Sequence, residues 1–207
     1  MTLQDLLDSR DARVERQREL LMEHPGMSLL CLTVQLPGPV KRNDISLKIA
    51  RAGVEAIRKA FSLEFEEQRD LETGFEVFFI VGMPPLDAKR LACTIEDTHP
   101  LGRLMDIDVV VLSEGVFGSS DASLRSAPPL ASLRSAPVPP LNVPRVAVSS
   151  HAEAPSDSAP QPLGREILGL SPRKCLLCGQ EARRCMRART HTTEELLAKI
   201  TEMVNDY

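Results

Sequence analysis

The sequence predicts an α+β fold in which helices pack on a mixed sheet of about four strands. Helical and strand-like apolar patterns alternate along residues 1–117, and 43% of the 207 residues are hydrophobic, as in an ordinary globular chain. Tryptophan is absent and tyrosine occurs once, so aliphatic residues and Met must build the core. The same scarcity of aromatic rings argues against a protein that stacks the bases of single-stranded nucleic acid.

Four helices are predicted from apolar residues that recur at helical spacing. They cover residues 2–22, 45–60, 86–91 and 193–204. Pro25-Gly26 ends the first helix, and Asn43 or Asp44 can cap the second.

Four strands are predicted from short apolar runs. They cover residues 29–35, 75–82, 91–95 and 104–112. Turn-forming residues separate them, beginning with Pro37-Gly38-Pro39 after the first strand.

The middle of the chain has a different composition. Residues 118–162 contain 9 Pro, 10 Ser and 8 Ala, and the nonapeptide ASLRSAPPL (122–130) is followed by the near copy ASLRSAPVP (131–139). Such a segment cannot bury enough apolar surface to offset its ordering entropy. We therefore expect an α/β core over 1–117, a flexible insertion over 118–162, and a Cys-rich basic segment with a helix over 163–207 that packs on the core as one domain.

Compartment is predicted from what the sequence lacks. No apolar run approaches the roughly 18 to 20 residues of a membrane span, and the first residues do not have the basic-then-apolar layout of a signal peptide. A cytoplasmic protein without a membrane partner is expected. Five cysteines, three of them within residues 175–185, then predict reduced thiols or metal ligands rather than disulfides.

Two carboxylates, Asp106 and Asp108, stand at the start of the last predicted strand. Side chains two residues apart in a strand point to the same face, with Cα atoms roughly 6 to 7 Å apart. Such a pair can hold Mg²⁺ ions that clamp the oxygens of a phosphoryl or nucleotidyl transfer. An exposed strand end without a metal is the alternative.

The residues around this pair indicate a phosphate-rich ligand. Gly102 permits a tight turn or close backbone approach, and the Arg103 guanidinium can take phosphate oxygens. Arg103 can equally form a structural ion pair with Asp106 or Glu96. Lys41 follows the first predicted strand, at a strand end where α/β proteins commonly bind ligands.

A second cluster follows the spacing C-x2-C-x6-C-x5-H. Its members are Cys175, Cys178, Cys185 and His191. This spacing is compatible with a structural Zn²⁺ site, while a redox pair or unliganded reduced thiols are the alternatives. Basic residues surround the cluster, at Arg173, Lys174, Arg183, Arg184, Arg187 and Arg189 against Glu181 alone. Their positive charge favours phosphate, nucleic acid or an acidic protein.

Four blocks of sequence resemble the citrate lyase holo-acyl-carrier-protein synthase family (CitX). They are residues 10–17, residues 37–41, Glu96 with HPLGRL-x-DIDV at 99–109, and PRKCLLC at 172–178 with Cys185 and His191. The resemblance runs from about residue 4 to residue 204, and the HPLGRL-x-DIDV and CLLC blocks are its specific part.

The resemblance implies an enzyme that attaches a prosthetic group. It would move this group from 2′-(5″-triphosphoribosyl)-3′-dephospho-CoA to a serine of the citrate lyase acyl-carrier subunit and release diphosphate. This nucleotidyltransferase would have the carrier subunit and the triphosphoribosyl compound as partners, with no nucleic acid. The family passes from the DIDV strand to the CLLC block through a short turn, so residues 118–162 look like an insertion.

Roles for individual residues follow from their type and position. Asp106 and Asp108 would hold Mg²⁺, Glu96 would be a third carboxylate, and His99 is a candidate general base. The residues predicted to bind substrate are Arg103, Lys41, Arg13 and Gly102. The Asp-h-Asp-h pattern also resembles the nucleotidyltransferase fold, without the Gly-Gly or Gly-Ser turn expected upstream.

Two other functions stay open from the sequence. One is the equivalent transferase for the carrier subunit of malonate decarboxylase. The other is a non-enzymatic zinc-binding module that uses its basic tail to bind an acidic protein or nucleic acid, for which Asp106 would be dispensable.

Overall fold

A computed structural model of the chain describes residues 2–112 and 159–207. Helices cover Leu3–Glu23 (α1), Asp44–Ala60 (α2), Pro85–Thr98 (α3), Ala182–Ala188 (α4) and Thr193–Asp206 (α5). Strands cover Ser28–Val34 (β1), Leu63–Leu71 (β2), Gly74–Val81 (β3), Met105–Leu112 (β4) and Pro160–Pro162 (β5). The helices expected over 2–22, 45–60 and 193–204 are thus confirmed to within two residues.

Local chemistry explains where these helices begin. Thr2, Asn43 and Thr192 each accept a hydrogen bond from the backbone N–H three residues on, in reciprocal capping boxes at α1, α2 and α5. Pro84 and Pro85 open α3, where a missing N–H costs nothing.

The five strands form one sheet in the order β2-β3-β1-β4-β5. Every neighbouring pair is antiparallel, so the expected mixed sheet is wrong. Two neighbouring strands can be parallel only if a crossover connection carries the chain back to the same end of the sheet. Here β2 and β3 form a tight hairpin, and β3 rather than β2 lies next to β1. Each pair of neighbouring strands is therefore antiparallel.

The expected number of strands also changes, from about four to five. Residues 91–95 belong to α3, because Ala88, Ala92 and Ile95 place one apolar helical face in the core. The hairpin strand β2 escaped prediction because its sequence, LEFEEQRDL, is mostly polar, with no fully buried residue. The three-residue β5 escaped because two of its residues are proline, as is tolerated at a sheet edge.

The two faces of the sheet are covered unequally. Helices α2, α3 and α5 bury one face, where the larger apolar cluster includes Ile49, Phe79 and Ile107. On the other face, Leu20 of α1 packs in a smaller cluster with Phe78. This second face continues beyond α1 into a polar region, and the candidate site lies there.

The segment after β5 is anchored at both ends. Leu163 donates its N–H to the carbonyl of Val109 at 2.8 Å, and Ile200 and Val204 of α5 enter the larger apolar cluster. Among the helices that the structure describes, none is both long enough and apolar enough to cross a membrane.

The predicted insertion lies outside the described residues from 118 to 158. Its flanks, however, are close together, since Leu112 of β4 pairs with Pro160 of β5. A short hairpin loop can bridge two such positions.

We therefore predict that deleting residues 118–158, which leaves six residues between Leu112 and Pro160, changes the melting temperature by less than about 3 °C. Deletion of 118–163 is the matched comparison, because it also removes β5 and the buried Leu163. The longer deletion should melt several degrees lower by calorimetry. Equal losses in both variants would contradict the prediction.

Candidate active site

The two aspartates of β4 lie on the polar part of the sheet face next to α1. Asp106 and Asp108 alternate with the fully buried Ile107 and Val109, so both carboxylates project from the opposite face. Their side chains are 33% and 42% exposed. Two carboxyl groups thus stand side by side on the surface of β4, which pairs with the central strand β1.

Crowding of these charges shifts the protonation of Asp108. Burial and the neighbouring Asp106 carboxylate raise the pKa of Asp108 to about 6, against a smaller opposing effect of Lys89. The Lys89 ammonium lies 3.9 Å from an Asp108 oxygen. A divalent cation between the aspartates would relieve this repulsion.

Beside the aspartates, side chains from elsewhere cover the free edge of β4. Strand β5 pairs only with residues Val110–Leu112, so the backbone groups nearer Met105 need other partners. The Ile107 N–H donates to Glu96 at 2.8 Å, the Ile107 carbonyl accepts from Lys89 at 3.3 Å, and the Met105 carbonyl accepts from Arg173 at 3.0 Å. We call Lys89, Glu96 and Arg173 the edge clamp.

Glu96 is the centre of this clamp. Its side chain is 1% exposed, and its carboxylate pairs with Arg173 and, at 3.2 Å, with Arg165. With the Ile107 N–H as a third donor, the carboxylate is saturated by protein groups. This geometry makes Glu96 a positioning residue for the strand that carries the aspartates.

Arg173 links the clamp to the aspartates. One of its guanidinium nitrogens lies 3.4 Å from an Asp106 oxygen while the same group holds Glu96 and the Met105 carbonyl. From the sequence, Arg173 is predicted only as part of the basic patch and of the PRKCLLC block. No local spacing could have paired it with residues 67 to 77 positions earlier in the chain.

A second buried ion pair stands on the same sheet face. Arg13 of α1 donates two hydrogen bonds, at 2.8 and 2.6 Å, to one oxygen of Glu76 on β3. Thr33 of β1 lies opposite both Glu76 and Asp106 in the strand register. The pair is therefore one strand removed from Asp106.

The Arg13–Glu76 pair and Thr33, which lies opposite Asp106, line a cleft of about 930 Å³, whereas Asp106 and Asp108 are not among its lining residues. Its cationic lining residues are Arg13, Lys41, Arg103, Lys174 and Arg189, and its acidic one is Glu76. Three of the four residues predicted to bind substrate, Arg13, Lys41 and Arg103, thus line one cavity. An excess of cations around a concave surface attracts polyanions.

Short contacts hold two of these cations in place. The Lys41 ammonium donates to the carbonyl of Leu36 at 2.6 Å, and the Arg103 guanidinium donates to the carbonyl of Lys174. Burial and the nearby positive charge of Arg173 lower the pKa of Arg103. Arg103 therefore bridges the start of β4 to the segment that carries the cysteines.

Gly102, the fourth predicted binding residue, is absent from the lining of this cleft. A Cβ atom at this position would lie 2.6 Å from the backbone oxygens of Ile95 and Glu96. The glycine lets the 3₁₀ turn Gly102–Leu104 pack against the end of α3, directly before the aspartates.

His99 lies in different surroundings from the carboxylates. Its Nδ1 accepts the Leu101 N–H at 3.1 Å, and its ring centre is 5.4 Å from that of Tyr207. Burial and the charge of Lys59 lower the pKa of His99. These neighbours belong to α2 and the end of α5, on the other face of the sheet.

The Cys/His cluster forms part of the cleft wall. One ligand atom from each of Cys175, Cys178, Cys185 and His191 lies within 4.8 Å of all the others, and the three thiols are free. Cys175, Cys185 and His191 also line the cleft. This Cys₃His set can bind a metal ion such as zinc.

Comparison with known proteins agrees with the resemblance found in the sequence. The model of the CitX family, described as apo-citrate lyase phosphoribosyl-dephospho-CoA transferase, matches residues 1–124 and 155–207. The chain belongs to the CitX family. The match includes every site residue considered above and leaves out most of the Pro-, Ser- and Ala-rich segment.

Curated CitX relatives resemble the chain along its whole length. A protein of Streptococcus pyogenes serotype M18, named probable apo-citrate lyase phosphoribosyl-dephospho-CoA transferase, is 29% identical over 99% of this chain and 86% of its own length. A protein of Escherichia coli O1:K1, named apo-citrate lyase phosphoribosyl-dephospho-CoA transferase, is also 29% identical, over 100% of this chain and 90% of its own. The named relatives of this CitX chain are transferases.

The raised pKa of Asp108 predicts how stability depends on pH. Between about pH 4 and pH 6 the native state holds a proton at Asp108 that the unfolded chain has lost, so the free energy of unfolding falls as the pH rises through this range. The substitution Asp108→Asn should therefore stabilise metal-free protein at pH 8 by about 1 kcal/mol, a value reduced for the exposure of the side chain. The gain should shrink near pH 4.

Urea unfolding in chelator at both pH values measures this effect. Asp70→Asn is the matched control, because Arg42 lowers the pKa of the exposed Asp70 and its neutralisation should bring no gain. Equal behaviour of the two variants, or destabilisation by Asp108→Asn at pH 8, would contradict the assigned repulsion.

Proposed function

We propose that this CitX chain is a Mg²⁺-dependent nucleotidyltransferase that modifies the acyl-carrier subunit of citrate lyase. It takes the phosphoribosyl-dephospho-CoA group from 2′-(5″-triphosphoribosyl)-3′-dephospho-CoA, attaches it to a serine of the apo subunit, and releases diphosphate. The observation that carries the proposal is the Asp106–Asp108 pair on β4, one strand away from the Arg13–Glu76 pair that lines a cation-rich cleft, in a member of a transferase family.

The reaction replaces a phosphoanhydride bond of the triphosphate with a phosphodiester bond to the serine. The serine oxygen forms a bond to the α-phosphorus, the bond from that phosphorus to the departing diphosphate breaks, and the hydroxyl proton leaves. Negative charge develops on the phosphate oxygens, so positioned positive charge accounts for most of the catalysis.

The donor set of the site fits Mg²⁺. Asp106 and Asp108 offer carboxylate oxygens on one strand face, and the raised pKa of Asp108 reflects a negative charge that a cation would neutralise. When bound there, Mg²⁺ supplies charge neutralisation for the triphosphate and the leaving diphosphate. The edge clamp holds the backbone of β4 at Met105 and Ile107 and so fixes the positions of the two carboxylates.

The cations of the cleft suit the triphosphate. Lys41 follows the end of β1 and Arg103 precedes the start of β4, two strand ends that pair through Val34 and Met105, and Arg13 reaches the cleft from α1. Arg173 lies nearest to the aspartates and would contact the phosphate next to the metal. Because Glu96 and Met105 already orient its guanidinium, Arg173 needs little reorganisation to do so.

The serine hydroxyl must give up its proton to a general base or to water during the attack. The contacts of His99 with Leu101 and Tyr207 give no support to the role of general base, which the sequence suggested for it.

The carrier subunit and the compartment belong to the same proposal. The exposed Arg183, Arg184 and Arg187 stand on α4 beside the cleft wall, where an acidic carrier surface can dock with its serine toward the cleft. We also propose a cytoplasmic location, where all five cysteines stay reduced. We also propose a nucleotidyltransferase-like fold, on the basis of the two aspartates of β4.

Intact-mass spectrometry of the purified apo carrier subunit tests this function. After incubation with the protein, Mg²⁺ and the triphosphoribosyl substrate, its mass should rise by one phosphoribosyl-dephospho-CoA group. Asp106→Asn should slow this transfer by at least about 100-fold, because it removes a charge that holds the metal. Asp87→Asn is the control at wild-type rate, since Asp87 is exposed and pairs with Arg90 on its own helix.

Two other outcomes would redirect the assignment. Labelling of the malonate decarboxylase carrier in preference to the citrate lyase carrier would move the chain to that substrate. If folded protein labels neither carrier, the transferase proposal fails and a zinc-dependent binding module gains support.

A further inference from the structure

The Cys/His cluster has nearly the dimensions of a tetrahedral zinc site. The Sγ atoms of Cys178 and Cys185 are 3.5 Å apart, and Nε2 of His191 is 3.3 Å from Cys178 Sγ. Zinc–sulfur bonds of about 2.3 Å in a tetrahedron separate neighbouring sulfurs by about 3.8 Å. The thiols are thus too far apart for a disulfide bond and at the right spacing to share one ion.

Backbone hydrogen bonds prepare this arrangement. Lys174 and Glu181 form an antiparallel bridge, and Cys175 N–H donates to the Gln180 carbonyl at 2.8 Å. This tight hairpin brings Cys175 and Cys178 to one side.

The other two ligands come from α4 and the turn after it. Cys185 lies on α4, and the Thr190 N–H donates to its carbonyl at 3.1 Å. The chain then reverses through Arg189, which has a left-handed φ of 48°. This reversal brings His191 back over the thiols.

The segment between the sheet and α5 has almost no apolar core to hold this arrangement. Among residues 164–199, all of which the structure describes, Cys185 alone is buried. Small substructures of this kind usually depend on a metal or disulfides for stability. A bound ion explains why so polar a segment can form a defined wall.

We propose that Cys175, Cys178, Cys185 and His191 bind one structural Zn²⁺ ion, and that this ion fixes the cleft wall that binds the triphosphate of the substrate. Lys174, next to the first ligand, accepts the hydrogen bond of Arg103, and Arg173 precedes it with its contact to Asp106. The zinc site therefore fixes the segment that holds Arg103, a cation of the cleft, and that places Arg173 against Asp106. The second half of this inference rests on the proposed function, whereas the first half does not.

Metal analysis of the full-length protein tests the first half. Protein purified without chelator should contain about one zinc per chain, and Co²⁺ reconstitution should give the visible absorption of a tetrahedral thiolate site. Cys178→Ser should lose most of this zinc. Cys93→Ser is the matched control, because Cys93 is a buried free thiol on α3, away from the cluster, and should keep the full content.

Less than about 0.1 zinc per chain in protein with reduced thiols would overturn the zinc assignment. A disulfide among the three cysteines, detected by mass spectrometry after alkylation, would overturn it in favour of a redox pair. Full zinc content in Cys178→Ser would show that any bound metal lies elsewhere.

Calorimetric titration with inorganic tripolyphosphate tests the second half without requiring transfer. Cys178 does not line the cleft, so Cys178→Ser should weaken binding only through the displaced wall, by about tenfold. Cys93→Ser should bind as the natural protein does. Unchanged affinity in a zinc-free Cys178→Ser protein that remains folded would refute the proposed coupling, whether or not the transferase assay succeeds.

Discussion

The structure of this site depends on the hydrogen bonds that side chains make to the backbone along the free edge of β4. The short β5 leaves the backbone near Met105 and Ile107 unpaired, and the edge clamp supplies the missing partners from α3 and from the C-terminal segment. Glu96 is fully buried and pairs with two arginines, so removal of both arginines would leave an uncompensated buried charge at a cost of about 3–5 kcal/mol. The clamp therefore ties the Cys-rich segment to the strand that carries the aspartates.

This connection explains how a small antiparallel sheet can build a site of mixed charge. The sheet contributes the carboxylates that suit a divalent cation, and the segments around it contribute the cations that suit a polyphosphate. Arg173 belongs to both groups, because it contacts Asp106 while it holds Glu96. Under the proposed function, the metal-binding aspartates and the phosphate-binding arginines would share this one ion-pair network, which keeps both at fixed separation with little reorganisation during the reaction. In the proposal above, a Zn²⁺ ion at the Cys/His cluster extends the same rigidity to the cleft wall that the cluster forms.

The sequence predicts the parts of this molecule that depend on local periodicity. The helices at 2–22, 45–60 and 193–204 and the face shared by Asp106 and Asp108 follow from residue spacing alone. Strand β2 does not follow from local spacing, because its residues are mostly polar and partly exposed. Only its pairing with β3 places it in the sheet. The edge clamp does not follow from local spacing either, since Arg173 meets Glu96 through a tertiary fold that no local pattern encodes. The role of Gly102 depends in the same way on the carbonyls of α3.

A crystal structure with Mn²⁺ and the triphosphoribosyl substrate would test the central claim most directly, since Mn²⁺ can replace Mg²⁺ at oxygen ligands and scatters X-rays anomalously. The account predicts an anomalous peak between Asp106 and Asp108, with the triphosphate extending from this ion along the cleft toward Arg103 and Lys41. A metal bound elsewhere, with the triphosphate outside the cleft, would contradict it.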